Sequence, residues 1–180
     1  MNNIYYFIRH AHSSYTPDEI NRPLSDKGQA SLAQLEFLTD KSIAAIYSSP
    51  YRRAIQTVEP LAQSLKLAIQ TDKRLIERKL SSQAIADPDF EQCLMKLWSQ
   101  PTFSLVDGES NQQAQQRALA LLHELESKHQ NEEIIISSHG NLICILLSAF
   151  DSSIDYDFWR SLSMPDVLVL DKDEKITRLL

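Results

Sequence analysis

Short apolar runs alternate with helix-like segments along the chain. Residues 3–8 (NIYYFI), 43–47 (IAAIY) and 134–136 (III) are short and apolar or aromatic, which predicts buried strands. Segments with helical spacing are predicted to begin at Ser25, Ser49, Asp87, Ser110 or Asn111, and Leu142. Pro60 lies inside the second of these helices and is expected to kink or divide it.

This alternation of strands and helices predicts an α/β fold, a three-layer α/β/α sandwich with a mostly parallel central sheet. The tail differs, because residues 167–170 and 176–180 are apolar segments on either side of the polar sequence DKDEK, which predicts a terminal hairpin. Residues 78–103 lie outside the alternation, and we interpret them as a small helical cap insertion. The length of 180 residues favours a single domain spanning residues 1–180.

Composition and charge narrow the classes of function. Hydrophobic residues make up 43% of the chain and charged residues 23%, which is typical of a soluble globular protein and argues against disorder. The formal net charge is −6, so we predict no nucleic-acid partner, since non-specific binding to phosphate backbones needs basic surface. Residues 1–80 nevertheless carry 11 Lys/Arg against 8 Asp/Glu, which leaves room for a local anion site.

The sequence also predicts where the protein works. No apolar run approaches the roughly 20 residues of a spanning helix, and no basic segment followed by a long apolar stretch suggests a leader. We therefore predict no membrane partner and a cytoplasmic location. The two cysteines, Cys93 and Cys144, form neither a CxxC pair nor a zinc pattern and are expected to be reduced thiols. The oligomeric state stays open.

Three of the predicted strands end in unusual polar sequences. These are RHAHSS from Arg9, SSPYRRA from Ser48 and SSHGN from Ser137. Ligands of parallel α/β sheets bind beyond the carboxyl ends of the strands, so two histidines and two or three arginines should meet at one edge. Arginine forks match phosphate oxygens, and a neutral histidine can attack phosphorus. The residues alone indicate a site for phosphate or another oxyanion.

The same segments resemble those of a known family. FIRHAHSS is similar to the Arg-His-Gly signature of the histidine phosphatase superfamily, which includes the cofactor-dependent phosphoglycerate mutases. RPLSDKGQA, SSPYRRAIQT, DGESNQQAQQR and ISSHGNLICIL resemble further segments of that family, in the family's order. The resemblance spans residues 4 to about 147.

The resemblance implies roles for individual residues. His10 corresponds to the nucleophile that is phosphorylated, Arg9 and Arg53 to arginines that bind the phosphate, and His139 to a second histidine that contacts the phosphoryl oxygens. Arg52 is the alternative to Arg53. We favour Arg53 because it directly precedes AIQT, and because adjacent helical residues point about 100° apart.

Glu77, in LIERK, resembles the carboxylate that donates a proton in many family members. Such a group is needed because a leaving alkoxide is a poor product unless it is protonated. Glu109, in the segment DGES, is a rival for this role. Glu77 is not followed by the family's usual glycine-containing stretch, so the sequence leaves the choice between the two open.

Some positions depart from the family pattern. Ala11 stands where glycine is usual, His12 where an acidic residue is usual, and Thr16 where asparagine is frequent. We consider His12, Thr16, Arg22 and Gly140 as candidate substrate-side residues. His12 together with His10 could chelate a metal ion, but neighbouring arginines would repel a cation, so we predict no metal and no other cofactor.

The resulting hypothesis is a phosphatase that hydrolyses a small phosphomonoester or a phosphoprotein through a covalent phosphohistidine on His10. Two alternatives stay open. One is phosphoryl transfer of the phosphoglycerate mutase type, which we disfavour because family mutases carry more cap sequence. The other is a non-catalytic phosphate-binding regulatory module on the same fold.

Overall fold

The computed structural model describes residues 1–82 and 87–180, and within them six strands and six α-helices. The strands are β1 (Ile4–Arg9), β2 (Ile43–Ser48), β3 (Ile69–Thr71), β4 (Glu133–Ser138), β5 (Asp166–Leu170) and β6 (Ile176–Arg178). The helices are α1 (Asp26–Ser31), α2 (Arg52–Leu65), α3 (Asp87–Ser99), α4 (Asn111–Lys128), α5 (Gly140–Leu147) and α6 (Tyr156–Ser161). Two 3-10 segments cover Leu32–Asp40 and Lys73–Leu75.

The six strands form one sheet in the order β3-β2-β4-β1-β5-β6. β3, β2, β4 and β1 run parallel, whereas β5 pairs antiparallel with β1 and with β6. The terminal hairpin predicted from the sequence is therefore present. It forms one side of the sheet, and the parallel strands form the rest, with β3 at the opposite edge.

Helices cover both faces of the sheet. Side chains that alternate along β1 separate two apolar clusters, with Tyr5 and Phe7 in one and Tyr6 and Ile8 in the other. The first cluster also includes residues of α4 and α5, and the second includes residues of α2 and of Leu32–Asp40. This arrangement confirms the predicted α/β/α sandwich with a mostly parallel sheet.

Local signals placed most elements correctly. Ser25 caps α1 by accepting a hydrogen bond from the backbone N–H of Gly28, as predicted. The helix predicted to begin at Ser25 changes to 3-10 geometry after α1, over Leu32–Asp40. Pro60 does not divide α2, and that helix begins at Arg52 rather than directly after Ser49.

The segment interpreted as a cap contains α3. Leu94 and Leu97 on this helix are buried, and Trp98 packs against the apolar cluster of α4 and α5. Residues 83–86 of the segment lie outside the described residues. That 78–103 forms a distinct insertion stays a prediction. Among the described residues, no helix combines the length and apolar character needed to cross a membrane.

Candidate active site

The register of the parallel strands brings three chain segments to one edge of the sheet. Arg9 at the end of β1 pairs with Ser138 of β4, and Ser48 at the end of β2 pairs with Ser137. Backbone bonds extend this pairing by one residue, from His10 N–H to the Ser138 carbonyl (3.0 Å) and from Ser49 N–H to the Ser137 carbonyl (2.9 Å). The predicted meeting of the three strand ends is therefore present.

His10 is held in a defined orientation. Its side chain is 93% buried, and Nδ1 lies 2.7 Å from the carbonyl oxygen of Ala11. Since that oxygen can only accept, Nδ1 carries the proton and Nε2 keeps its lone pair. Nε2 accepts a hydrogen bond of 3.2 Å from Nε of Arg53. Burial, with a contribution from neighbouring arginines, lowers the pKa of His10 to about 3, so the ring is neutral at physiological pH.

His139 lies against His10. The two ring centroids are 5.2 Å apart in an edge-to-face arrangement, and Nε2 of His139 is 2.9 Å from the Ser49 hydroxyl. Tyr51 contacts the ring edge-to-face at a centroid distance of 5.2 Å. Burial and the nearby His10 and Arg53 hold the pKa of His139 well below its usual value. Its Nδ1 is buried without a hydrogen-bond partner among the described residues.

Arg53, and not Arg52, faces this cluster. Arg53 is 98% buried in the first turn of α2, whereas Arg52 is exposed. Besides its bond to His10, Arg53 donates through Nη1 to the backbone carbonyl of Glu19 (2.7 Å) and through Nη2 to the Glu19 carboxylate (3.1 Å). Burial lowers the pKa of Arg53, but a guanidinium stays charged at physiological pH.

Arg9, at the end of β1, is the second arginine of the site. Its Nη1 donates to the carbonyl of Leu162 (2.7 Å), while its Nε is buried without a partner in the part of the chain that the structure describes. Gly140 allows this placement, because a Cβ there would lie only 2.8 Å from Nε of Arg9.

A pocket of about 310 Å³ opens between these side chains. We call it the phosphate pocket; it is lined by Arg9, His10, His12, Ser13, Glu19, Arg22, Arg53, Glu77, Gly140, Trp159 and Met164. His139 is absent from this lining because it is completely buried. Three arginines in its lining make the pocket suited to an oxyanion.

A second cavity of about 570 Å³ adjoins the phosphate pocket, and we call it the side cavity. Glu19, Glu77 and Trp159 line both spaces. The other residues of its wall are Tyr51, Ile76, Arg78, Lys79, Leu80, Ser81, Phe90, Leu94 and Asn141. The wall is mainly aromatic and aliphatic, with two basic side chains.

The structure separates the two candidate acids. Glu77 lies at the boundary of the two spaces, where its Oε1 accepts hydrogen bonds from the backbone N–H groups of Arg78 (2.9 Å) and Leu142 (3.0 Å). Glu109 lines neither space and instead forms a two-pronged ion pair with Arg117, at 2.6 and 2.8 Å. Of the two candidate acids, only Glu77 lines the pocket that contains His10.

Three of the four candidate substrate-side residues line the phosphate pocket, and one does not. His12, Arg22 and Gly140 line the phosphate pocket. His12 is fixed by a contact of 2.7 Å between its Nδ1 and the Ser25 hydroxyl. Thr16 does not line the pocket, because its hydroxyl donates to the carbonyl of Asp18 within an exposed turn. The substrate-side assignment of Thr16 therefore finds no support.

Sequence reasoning gave no role to three residues that contact the cluster. Glu19 pairs with Arg53 and Arg22, Ser49 contacts His139, and Tyr51 lies under the guanidinium of Arg53 at 4.9 Å. Ser49 and Tyr51 follow β2 in the segment already singled out, so their position was a usable signal. Glu19 has no such signal, since it lies in an irregular polar loop.

Comparison with known proteins fits this arrangement. The family model of the histidine phosphatase superfamily (branch 1) matches residues 5–171. The chain belongs to the histidine phosphatase superfamily. The family predicted from the sequence, and with it a phosphoric monoester hydrolase, is thereby confirmed.

Two curated relatives agree with the superfamily assignment. A protein of Hydrogenobacter thermophilus named "Putative phosphoserine phosphatase 2" is 27% identical over 157 residues, which cover 78% of this chain and 77% of the relative. "Phosphoglycerate mutase-like protein 4" of Arabidopsis thaliana is 25% identical over 151 residues, covering 76% of this chain and 66% of the relative.

Solved histidine phosphatases share the fold. Mycobacterial glucosyl-3-phosphoglycerate phosphatase in complex with VO3 superimposes with a TM-score of 0.80 at 21% identity, covering 98% of this chain and 97% of that one. YhfR of Bacillus stearothermophilus gives a TM-score of 0.79 at 23% identity, covering 99% and 96%.

Proposed function

We propose that this phosphatase hydrolyses phosphomonoesters without a metal, through a phosphohistidine formed at Nε2 of His10. The observation that carries the proposal is the meeting of a neutral, oriented imidazole, a buried Arg53 and the Glu77 carboxyl group around one pocket. Phosphoryl transfer depends on positioning and on positive charge around the equatorial oxygens, and these residues supply both.

In the first step, Nε2 of His10 attacks phosphorus, so that a nitrogen–phosphorus bond forms and the ester oxygen–phosphorus bond breaks. Arg9 and Arg53 bind the equatorial oxygens, and Arg53 releases Nε2 as it turns to the phosphoryl group. The leaving oxygen takes a proton from Glu77. A buried, neutral histidine is a competent nucleophile because no proton has to be removed from Nε2 first.

In the second step, water attacks the phosphorus of the phosphohistidine. The Glu77 carboxylate accepts the proton of that water, and the nitrogen–phosphorus bond breaks to release inorganic phosphate and neutral His10. His139 supports both steps by packing against the His10 ring, at 5.2 Å between centroids. Since His139 is completely buried, direct contact with phosphoryl oxygens would require His10 or Tyr51 to shift.

The described residues lack a metal centre of the usual kind. No three His, Cys, Asp or Glu side chains among them are grouped so that they could hold a metal ion. Charge neutralisation is instead proposed for Arg9, Arg22 and Arg53, which are fixed cations.

The side cavity is proposed to receive the leaving group. It adjoins the phosphate pocket at Glu77, which is where a proton donor must meet the leaving oxygen. Arg78 lines it with its side chain 96% buried, and its Nε and Nη1 have no partner in the described part of the chain. Tyr51, Leu94 and Trp159 add apolar surface. This combination favours a leaving group with an apolar body and an anionic group, such as a carboxylate.

Two relatives have names that fit a leaving group with a carboxylate. They are the "Putative phosphoserine phosphatase 2" and the glucosyl-3-phosphoglycerate phosphatase, and both names describe phosphate esters of carboxylic acids. A small phosphorylated molecule of this kind is therefore our proposed substrate class, and a phosphoprotein is the alternative. We also propose a cytoplasmic location for the enzyme.

The first test is trapping of the intermediate. Wild-type protein quenched during turnover of a 32P-labelled ester should carry acid-labile, alkali-stable label, and His10→Ala should carry none. Phosphate release should persist with a chelator present. Acid-stable label, label that persists in His10→Ala, or activity abolished by the chelator would contradict the mechanism.

The second candidate activity is phosphoglycerate mutase-type transfer, which is suggested by the name of the Arabidopsis relative. A mutase must keep its phosphohistidine intact until an acceptor hydroxyl group takes the phosphoryl group. Isomerisation of phosphoglycerate faster than the appearance of free phosphate would favour the mutase. Label trapping separates both activities from a non-catalytic binding module, which would acquire no covalent label.

A further inference from the structure

The carboxylate of Glu19 is bound to two arginines of the phosphate pocket. Oε2 lies 3.1 Å from Nη2 of Arg53, and Oε1 lies 3.0 Å from Nη1 of Arg22. Arg53 is almost completely buried, and Arg22 is mostly buried. A planar carboxylate that bridges two guanidinium groups resembles the way in which two phosphoryl oxygens would bind there.

The contact between Glu19 and Arg53 uses N–H groups of Arg53 that could otherwise bind a phosphoryl group. Nη1 and Nη2 of Arg53 both donate to Glu19, and Nε donates to the nucleophilic nitrogen of His10. Each of the three side-chain nitrogens of Arg53 thus already has a hydrogen-bond partner, and Nη1 donates to the backbone carbonyl of Glu19 whereas Nη2 donates to its carboxylate. A phosphoryl group attacked by Nε2 of His10 must lie within reach of the same guanidinium, so the carboxylate and the phosphoryl oxygens compete for Arg53.

The other arginines differ from Arg53. Nε of Arg9 and Nε of Arg22 are buried and have no hydrogen-bond partner among the described residues. These two N–H groups have no partner, whereas Arg53 is bound by Glu19. The Glu19 carboxylate therefore satisfies only some of the donors that an anion in the phosphate pocket could use.

The position of Glu19 makes exchange feasible. Its side chain is 51% exposed, and it lies between the phosphate pocket and the side cavity. The backbone around it is held in place by bonds from Ile20 N–H to Asp18 Oδ1 (3.1 Å) and from Arg52 N–H to the Ile20 carbonyl (2.9 Å). Rotation of the Glu19 side chain toward solvent would free Nη2 of Arg53 without moving the loop, while Nη1 would keep its bond to the Glu19 backbone carbonyl.

We propose that Glu19 is a built-in competitor that binds Arg53 in place of a phosphoryl group and weakens the binding of phosphate dianions. This inference rests on the proposed function for its role in turnover. The carboxylate must be displaced when substrate enters, and its return to Arg53 and Arg22 helps to expel inorganic phosphate. Glu19 thereby limits inhibition by the product.

Glu19→Gln and Glu19→Ala test the competition directly. Isothermal titration calorimetry with inorganic phosphate at constant ionic strength should show a Kd about fivefold to tenfold lower than in wild type, because partly exposed ion pairs no longer have to be broken. The KM for a phosphomonoester and the inhibition constant of phosphate should fall in parallel. A variant that is merely damaged would lose affinity instead of gaining it.

Glu59→Gln is the matched control. Glu59 is an exposed residue on α2 that lines neither space, so this variant makes the same change in net charge without freeing Arg53. Its phosphate Kd should stay at the wild-type value. An equal gain in phosphate affinity in Glu19→Gln and Glu59→Gln would show a general effect of net charge instead of competition, and would overturn the proposal.

Other outcomes are equally decisive. Weaker phosphate binding in Glu19→Gln would show that the carboxylate orients the arginines, unchanged binding would show that it does not compete, and either result would overturn the proposal. So would the absence of phosphate binding in wild type and variants alike. Tighter phosphate binding in a protein that hydrolyses no ester would uphold the competition and refute the proposed phosphatase mechanism alone.

Discussion

The Nε–H group of Arg53 donates a hydrogen bond of 3.2 Å to Nε2 of His10. A single guanidinium group therefore contacts the nucleophilic nitrogen and is close enough to bind the phosphoryl group that this nitrogen attacks. The contact also fixes the ring, since Nδ1 is bonded to the Ala11 carbonyl on its other side. His10 is oriented before substrate arrives.

Replacement of Arg53 by lysine should be costly even though charge is conserved. Lysine has no planar fork, so it cannot bind two phosphoryl oxygens side by side as arginine can. We expect Arg53→Lys to lower kcat/KM by about 100- to 1000-fold. Arg52→Lys on the same helix turn should leave kcat/KM near wild type, because Arg52 is exposed. Similar losses of kcat/KM in the two variants would contradict the assignment of Arg53, rather than Arg52, to phosphate binding.

The protonation state of His10 can be observed directly. Because burial lowers its pKa to about 3, the ring should stay neutral, with the proton on Nδ1, throughout pH 5–8. The 15N chemical shifts of the imidazole nitrogens, assigned by comparison with His10→Gln, should be constant over this range. A titration with a midpoint near the ordinary histidine value would show that the pocket does not keep the nucleophile neutral.

Glu77 and Glu109 should differ in their effect on chemistry. Glu77→Gln should slow hydrolysis of alkyl phosphates by about 100-fold or more, and of p-nitrophenyl phosphate much less, because a good leaving group needs no proton. Glu109→Gln should leave both rates near wild type and lower the free energy of unfolding by about 1 kcal/mol, through loss of the pair with Arg117. A leaving-group dependence in Glu109→Gln alone would reverse the assignment.

Much of the framework followed from local sequence. β1, β2 and β4 are short apolar segments, and each is followed by a polar sequence that the parallel register brings to the same edge. Ser25 and Ser110 were expected near helix starts, and both accept hydrogen bonds from the backbone of their first helical turns. Signals of this kind act over a few residues, so a single sequence reveals them.

The parts that the sequence did not reveal depend on contacts between distant residues. Glu19 lies in an exposed loop, and only the fold brings it to Arg53, 34 residues further along the chain. α6 was not predicted, yet its Trp159 lines the phosphate pocket. The complete burial of His139 is set by packing beneath His10 and Tyr51, which no local pattern encodes.

The two buried histidines should make the fold sensitive to acid. The pKa of His10 in the folded chain is about 3, below its ordinary value of 6.5, and that of His139 is also lowered. Between these values the unfolded chain binds a proton that the folded chain does not. Stability is therefore unaffected by these groups above pH 6.5 and falls as the pH drops below it.

The expected size of this effect can be measured by urea unfolding at pH 7 and pH 5. His10 should contribute a loss of about 2 kcal/mol over this interval, at about 1.4 kcal/mol per pH unit below 6.5, and His139 should add a loss in the same direction. His10→Gln should therefore show a smaller drop between the two pH values than wild type, whatever its stability at pH 7. His123→Gln, which removes an exposed histidine of α4, should retain the wild-type drop. An undiminished drop in His10→Gln would mean that His10 is protonated in the folded protein at pH 5, and hence a poor nucleophile there.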